Sequence, residues 1–379
     1  MNMEYRAQID RIDDEIVKLF TERMNITEKI AQYKRENGLQ ILDKAREREK
    51  LRDVTEKTPE GLKEYTRLLY SQIFEYSRGY QRRLNMQETD LAGKIRNAVE
   101  NTPKMLPAGA AVACQGTEGA YAQMACEKIF KNPNIMFFSG FESVFSAVEK
   151  GLCAFGVVPL ENSTAGSVNT VYDLMLRHRF SIVRSTRLKI DHNLLVKPGV
   201  SLSEVKEIYS HQQAISQCEG FLSGLKDVKI IPCENTAVAA EMVAKSPQRE
   251  IAALASRSCI RLYGLECLKE SVQDRGNNYT RFICISKDLQ IYPGADRTSL
   301  MAILPHEPGS LYKLLARLYT LDINLNKMES RPLPDRDFEF MFYFDLETPV
   351  YSEEFLQLMN ELGEVCESFY YLGSYSEAV

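Results

Sequence analysis

The chain has 379 residues, 44% hydrophobic and 26% charged, with a formal net charge of −5. This length supports two or three domains with buried cores, and no apolar run approaches the roughly 20 residues of a membrane helix. The acidic balance lacks the basic footprint of a nucleic-acid binder, while four histidines and nine cysteines without a C-x-x-C pair give no metal site and no cofactor motif. The polar start lacks the basic and apolar regions of a secretory signal, so the expected compartment is the cytoplasm, with reduced thiols.

Residues 1–92 contain three glycines (38, 61 and 79) and a single proline, Pro59, which predicts an all-helical segment. A first helix runs uninterrupted from Met1 to Asn37, where Asn37-Gly38 supplies the stop; about 30 residues span about 45 Å. That is too long for a lone globule of this size, whose radius of gyration is near 13 Å, so the length predicts an intertwined helical dimer. A second helix fits Asp43 to Glu56, and a third fits Leu62 to Leu84 after the Thr58-Pro59 break. The apolar stripe of the first helix (Ile9, Ile12, Ile16, Leu19, Phe20, Ile26, Ile30) contains Arg23 at seven-residue spacing, and Lys34 extends the same face. The third helix repeats the anomaly with Ser77 and Gln81 after Leu69 and Ile73. Either a bound anion pairs these cations or they reach solvent at the rim, because an isolated buried charge is costly. The second helix adds both signs on one face, at Asp43, Arg46 and Glu47.

These residues resemble the all-helical chorismate mutases, matched at Arg6, Arg23, Lys34, Asp43, Arg46, Glu47, Ser77 and Gln81. The resemblance implies a three-helix intertwined homodimer that rearranges chorismate to prephenate, a pericyclic step needing no nucleophile. It implies that Arg6 reaches the partner's site while Arg23 and Arg46 serve their own. Arginines hold the substrate carboxylates, Lys34 and Gln81 donate to the ether oxygen as its bond breaks, and Glu47 accepts from the ring hydroxyl. Asp43 and Ser77 complete the implied substrate-binding set.

Residues 93–109 read as a linker, ending in Pro107-Ala108-Gly109. From Ala110 short strands alternate with helices (Ala111 to Cys114, Tyr121 to Phe130; Ala154 to Pro159, Val168 to His178; Val228 to Pro232, Thr236 to Lys245), which predicts an α/β layered domain with substantially parallel pairing. The loop from Gln115 to Tyr121 follows a strand and opens a helix, a geometry that offers backbone amides to an anion. Glu161, Asn162 and Ser163 also follow a strand, Asn235-Thr236 caps a helix, and Asn278-Tyr279-Thr280-Arg281-Phe282 opens a strand. Together with Val171-Tyr172-Asp173-Leu174 and Ser210-His211, these runs resemble prephenate dehydratase across 110–288. The resemblance implies two lobes like a periplasmic binding protein, with prephenate in the cleft and Thr280 assisting departure of the ring hydroxyl. Glu161, Asn162, Ser163, His211, Thr236, Asn278, Arg281 and Phe282 are the implied binding residues. Gln212 stands where that family usually has proline, and Asn235 where serine or threonine is usual; His211 stays open between a structural and a substrate-contacting role.

From Thr298 onward the pattern is βαββαβ, a ferredoxin-like α+β arrangement. Residues 297–379 resemble the ACT regulatory domain through Gly309-Ser310-Leu311 and Glu329-Ser330-Arg331-Pro332, which implies binding of L-phenylalanine by Gly309, Ser310, Leu311, Glu329, Ser330 and Arg331. The combined expectation is a bifunctional enzyme making phenylpyruvate from chorismate under phenylalanine inhibition. The alternative is a sensor of prephenate or amino acids in which one or both sites are inactive.

Overall fold

The computed structural model describes residues 3–85, 89–333 and 339–378. The chain divides into two compact units, 1–92 with 359–361 and 93–358 with 362–379.

The first unit is helical. Helix α1 (Met3–Glu36) ends where Gly38 takes φ 63°, a left-handed stop that favours glycine. Helix α2 (Lys44–Glu56) begins at Asp43, whose carboxylate accepts from the backbone N–H of Ala45 and Arg46 at 3.1 and 2.9 Å. Helix α3 (Lys63–Asn85) follows a short 3₁₀ turn after Pro59. In the single chain the stripe of α1 faces water: Ile9, Ile12 and Ile16 are 55%, 53% and 56% exposed.

Helix α4 (Asp90–Asn101) corrects the expected linker at 93–109, because Ala92, Ile95 and Ala98 recur at helical spacing and are buried. Only residues 102–109 stay irregular.

The second unit builds a first lobe from β1 (Ala111–Gln115), α5 (Tyr121–Ile129), β2 (Asn134–Phe138), α6 (Phe141–Glu149), β3 (Phe155–Asn162), β4 (Gly166–Ser167), α7 (Asn169–His178) and β5 (Ser181–Lys189). The chain then crosses to a second lobe made of β6 (Asn193–Val196), β7 (Glu207–His211), α8 (Gln212–Gln217), α9 (Glu219–Ser223), β8 (Lys229–Cys233), α10 (Thr236–Lys245), β9 (Ile251–Ala255), α11 (Ser258–Tyr263) and β10 (Glu266–Lys269). It returns through β11 (Tyr279–Ser286), which inserts antiparallel between β3 and β5. The sheet of the first lobe has the order β5-β11-β3-β1-β2 with β4 on β3 and the last strand of the chain, β16 (Glu377–Ala378), outside β5; that of the second is β10-β6-β9-β7-β8. Both are mixed. Parallel pairing holds among β1, β2 and β3 and among β7, β8 and β9, whereas the returning strands pair antiparallel.

The C-terminal part is β12 (Arg297–Ile303), α12 (Ser310–Thr320), β13 (Asn324–Pro332), β14 (Phe340–Glu347), α13 (Glu353–Val365) and β15 (Ser368–Tyr375), with sheet order β13-β14-β12-β15. The βαββαβ order is as expected from the sequence. This module shares a core with the first lobe: Met301, Ile303, Met341, Tyr343, Leu372 and Tyr375 pack with Val144, Val171, Tyr172 and Ile182. Gly373 (φ 124°) permits the close approach, since a Cβ there would collide with the Ile182 backbone. A last strand, β16 (Glu377–Ala378), pairs parallel with β5.

Candidate active sites

In the helical unit, Arg23 on α1 donates to Ser77 Oγ on α3, and its guanidinium carbon lies 6.0 Å from the Phe74 ring centroid. Burial pulls the Arg23 pKa down from its usual value, opposed by Tyr70 and Glu47. Ser77 in turn donates to Ile73 O at 2.7 Å, so its oxygen is presented to the arginine. Gln81, one turn further on α3, is buried, and its Oε1 has no partner among the described residues. Glu47 accepts from Arg78 through both carboxylate oxygens. Lys34 donates to Ile41 O and lines a recess with Leu39, Gln40, Leu42 and Asp43. Arg46 is exposed and pairs with Glu49 at 2.7 Å. Arg6 is exposed on α1; 17 residues from Arg23 at 1.5 Å each, it stands about 25 Å away along the helix. The single chain therefore gathers Arg23, Glu47 and Ser77 and leaves Arg6 at a distance. Arg78 was missed in the sequence, where one more arginine on a charged helix carries no signal.

In the second unit a cavity of about 200 Å³ opens between the lobes, lined by Gly116, Tyr121, Asn162, His192, His211, Gln217, Thr236 and Thr280 among others. Two crossings of the chain create it, before β6 and before β11. Asn162 ends β3, and its Oδ1 accepts from the backbone N–H of Thr164 and Ala165 (3.0 and 2.8 Å) and from Thr164 Oγ1 (2.7 Å). Two backbone donors fix which end of the amide is oxygen. Its Nδ2 must therefore donate, to Asn278 Oδ1 at 2.8 Å and to Thr280 Oγ1 at 2.9 Å. Thr280 uses an oxygen lone pair in that bond and keeps its own O–H for another acceptor.

The network continues into the second lobe. Gln217 Nε2 donates to Thr164 Oγ1 (3.0 Å), and Gln217 Oε1 accepts from Asn278 Nδ2 (2.9 Å). The same oxygen lies 2.9 Å from His192 Nε2, which places the imidazole proton on Nε2. Burial pushes the His192 pKa below the usual histidine range, Gln217 and Asp191 opposing it. A lowered folded pKa means that the unfolded chain binds the extra proton first. This contribution to stability is present above about pH 6.5 and is lost as pH falls toward the folded pKa. His192→Asn should flatten that acid limb, measured as urea midpoints at pH 7.5 and 5.5. Neither Gln217 nor His192 was singled out from the sequence, because the lobe crossings alone bring them to β3 and β11.

Of the other expected residues, His211 caps α8 by accepting from Gln213 N at 3.2 Å and lines the cavity. Thr236 and Phe282 line it too. Asn278 is buried within the network. Ser163 instead fastens its loop to the start of β11, donating to Asn277 O and accepting from Tyr279 N, both at 2.9 Å. Arg281 and Glu161 require correction. Successive side chains of a strand point to opposite faces, so the neighbours of Thr280 and Asn162 turn away from the cleft. Arg281 is 6% exposed and binds Asp345, Tyr375 OH (2.7 Å) and Glu161 (3.3 Å). Burial opposes its charge, but Tyr375 and Asp345 outweigh that and hold the guanidinium above its usual pKa.

In the module, Gly309 precedes α12 with φ 86°, and Ser310 and Leu311 line a separate cavity of about 390 Å³ with Leu304, His306, Phe340 and Phe342. Glu329 accepts from Ser167 Oγ at 2.7 Å, Arg331 pairs with Asp173 at 3.0 Å, and Ser330 is exposed. Glu329, Ser330 and Arg331 are not among the residues that line this cavity.

A family model for chorismate mutase type II matches residues 5–82, and one for prephenate dehydratase matches residues 112–290. The helical cluster and the interlobe cleft thus fall in two enzyme domains on one chain. The chain belongs to the family of bifunctional chorismate mutase/prephenate dehydratases. It is 30% identical over 378 residues to the bifunctional chorismate mutase/prephenate dehydratase of Escherichia coli (strain K12), covering 98% of this chain and 95% of that one. It is 37% identical over 281 residues to arogenate dehydratase 2 of Petunia hybrida, covering 70% and 71% of the two chains. Among solved structures it is similar to the prephenate dehydratase of Arthrobacter aurescens in complex with L-Phe, with TM-score 0.64, 25% identity, and coverage of 71% and 90%.

Proposed function

We propose that this chain rearranges chorismate to prephenate in its helical unit and converts prephenate to phenylpyruvate, carbon dioxide and water in the interlobe cleft, under inhibition by L-phenylalanine. The observation that carries the second reaction is the Asn162 to Thr280 hydrogen bond, which leaves the threonine proton for the departing oxygen. Loss of carbon dioxide and hydroxide makes the ring aromatic, so the protein needs only a donor at the leaving oxygen and a fixed substrate. Among the described residues lining this cavity there is no lysine or arginine. Backbone N–H groups at the starts of α5 and α10 are suited to the carboxylates.

The mutase reading rests on the Arg23, Glu47 and Ser77 cluster with Lys34 and Gln81. Electrostatic complementarity and conformational restraint supply the rate of a pericyclic step. The exposed stripe of α1 and the distance of Arg6 support a dimer in which Arg6 completes the partner's site. Feedback by L-phenylalanine is supported by the L-Phe complex of the Arthrobacter relative; Gly309 to Leu311 and Glu329 to Arg331 are the binding segments, joined across paired modules. The cytoplasm remains the proposed compartment, consistent with no described helix being long and apolar enough to cross a membrane.

Supplying purified protein with prephenate, and separately with arogenate, tests the cleft. Phenylpyruvate from prephenate, suppressed by phenylalanine, is the expected result. Binding of prephenate without turnover would favour the sensor reading, and turnover of arogenate alone would move the substrate to that of the Petunia relative.

A further inference from the structure

The two strands that carry the cleft residues each send the neighbouring charge through the sheet to the C-terminal module. Next to Asn162 is Glu161, which accepts from Lys327 of β13; next to Thr280 is Arg281, which donates to Asp345 of β14. Arg281 also reaches Glu161 at 3.3 Å, so the two pairs form one network. Both ends are held. Lys327 is only 16% exposed, lies 3.0 Å from Ser167 Oγ and sits 5.6 Å from the centroid of the Tyr172 ring. Asp345 accepts from Tyr343 OH at 2.7 Å, and Tyr375 OH binds both Arg281 (2.7 Å) and Ser299 (2.6 Å). The guanidinium is therefore surrounded by groups from β12, β14 and β15.

We propose that Lys327 and Asp345 are positioning residues of the dehydratase: ion pairs with Glu161 and Arg281, behind the sheet, hold Asn162 and Thr280 in register across the cleft. This rests on the dehydratase reading above. The module is then part of the catalytic scaffold as well as the candidate regulatory site, and its ligand has a short physical route to the threonine. Without Lys327, Glu161 keeps only the 3.3 Å contact to Arg281, which Asp345 also holds, and the strand end shifts to relieve the poorly compensated charge.

The test uses Lys327→Met and Lys327→Arg in the full chain, with prephenate for the dehydratase and chorismate for the mutase. Small misplacement of a catalytic donor is costly, so Lys327→Met should lower dehydratase kcat by about tenfold or more while leaving KM nearly unchanged. Mutase turnover should stay at the wild-type rate, and Lys327→Arg should recover most of the loss by restoring the charge. Wild-type dehydratase kcat in Lys327→Met would overturn the proposal, as would equal loss of both activities. Wild-type protein that fails to turn over prephenate would instead overturn the dehydratase reading itself.

Discussion

Lys34→Ala is expected to lose mutase turnover by about 10²–10³-fold, or about 3 kcal/mol of transition-state stabilisation, the scale of one removed donor at a developing oxyanion. Lys34 already lies in a recess beside Asp43, with its ammonium bound to Ile41 O. That contact holds the long side chain in one place before substrate arrives, so little rotamer freedom remains to be lost on binding. The ether oxygen of chorismate gains negative charge only as its bond breaks, and a donor aimed there raises kcat more than it tightens binding. The same variant should convert added prephenate at the wild-type rate. Steady-state assay with each substrate decides it, and a mutase rate within tenfold of wild type would remove Lys34 from the role.

Thr280→Ala is expected to show the reverse pattern, with dehydratase turnover down by about 10²–10³-fold and mutase turnover intact. The fold should survive, since Asn162 keeps its bonds to Asn278, Thr164 and Ala165 when the hydroxyl is gone. Thr280→Ser restores an O–H at the same position and should recover much of the loss. Dehydratase activity little changed in Thr280→Ala would end the assignment of this hydroxyl as the donor to the leaving group.

The elements were legible where local chemistry decides them. The absence of glycine and proline before Gly38 defines α1, the Asp43 cap defines the start of α2, and alternation of strands and helices after Thr298 defines the βαββαβ order. Long-range pairing was less legible. The insertion of β11 between β3 and β5 depends on a return from the second lobe that no local pattern records, and the same return brings Asn278 between Asn162 and Gln217, to which His192 is bonded. Thr280 and Arg281 illustrate the difference within one motif. The resemblance to prephenate dehydratase marks the strand as functional, but the two-residue alternation places one in the cleft and the other against the module. The expected linker at 93–109 is irregular only where Pro103, Pro107 and Gly109 cluster, while Ala92, Ile95 and Ala98 upstream form a short buried helical face.

The most direct test of the central claim, two consecutive reactions on one chain, supplies chorismate alone and follows its loss together with the appearance of phenylpyruvate, with and without phenylalanine. The account predicts phenylpyruvate from chorismate in wild type, prephenate accumulating in Thr280→Ala, and suppression of phenylpyruvate by phenylalanine. Chorismate left unchanged by wild-type protein would contradict it.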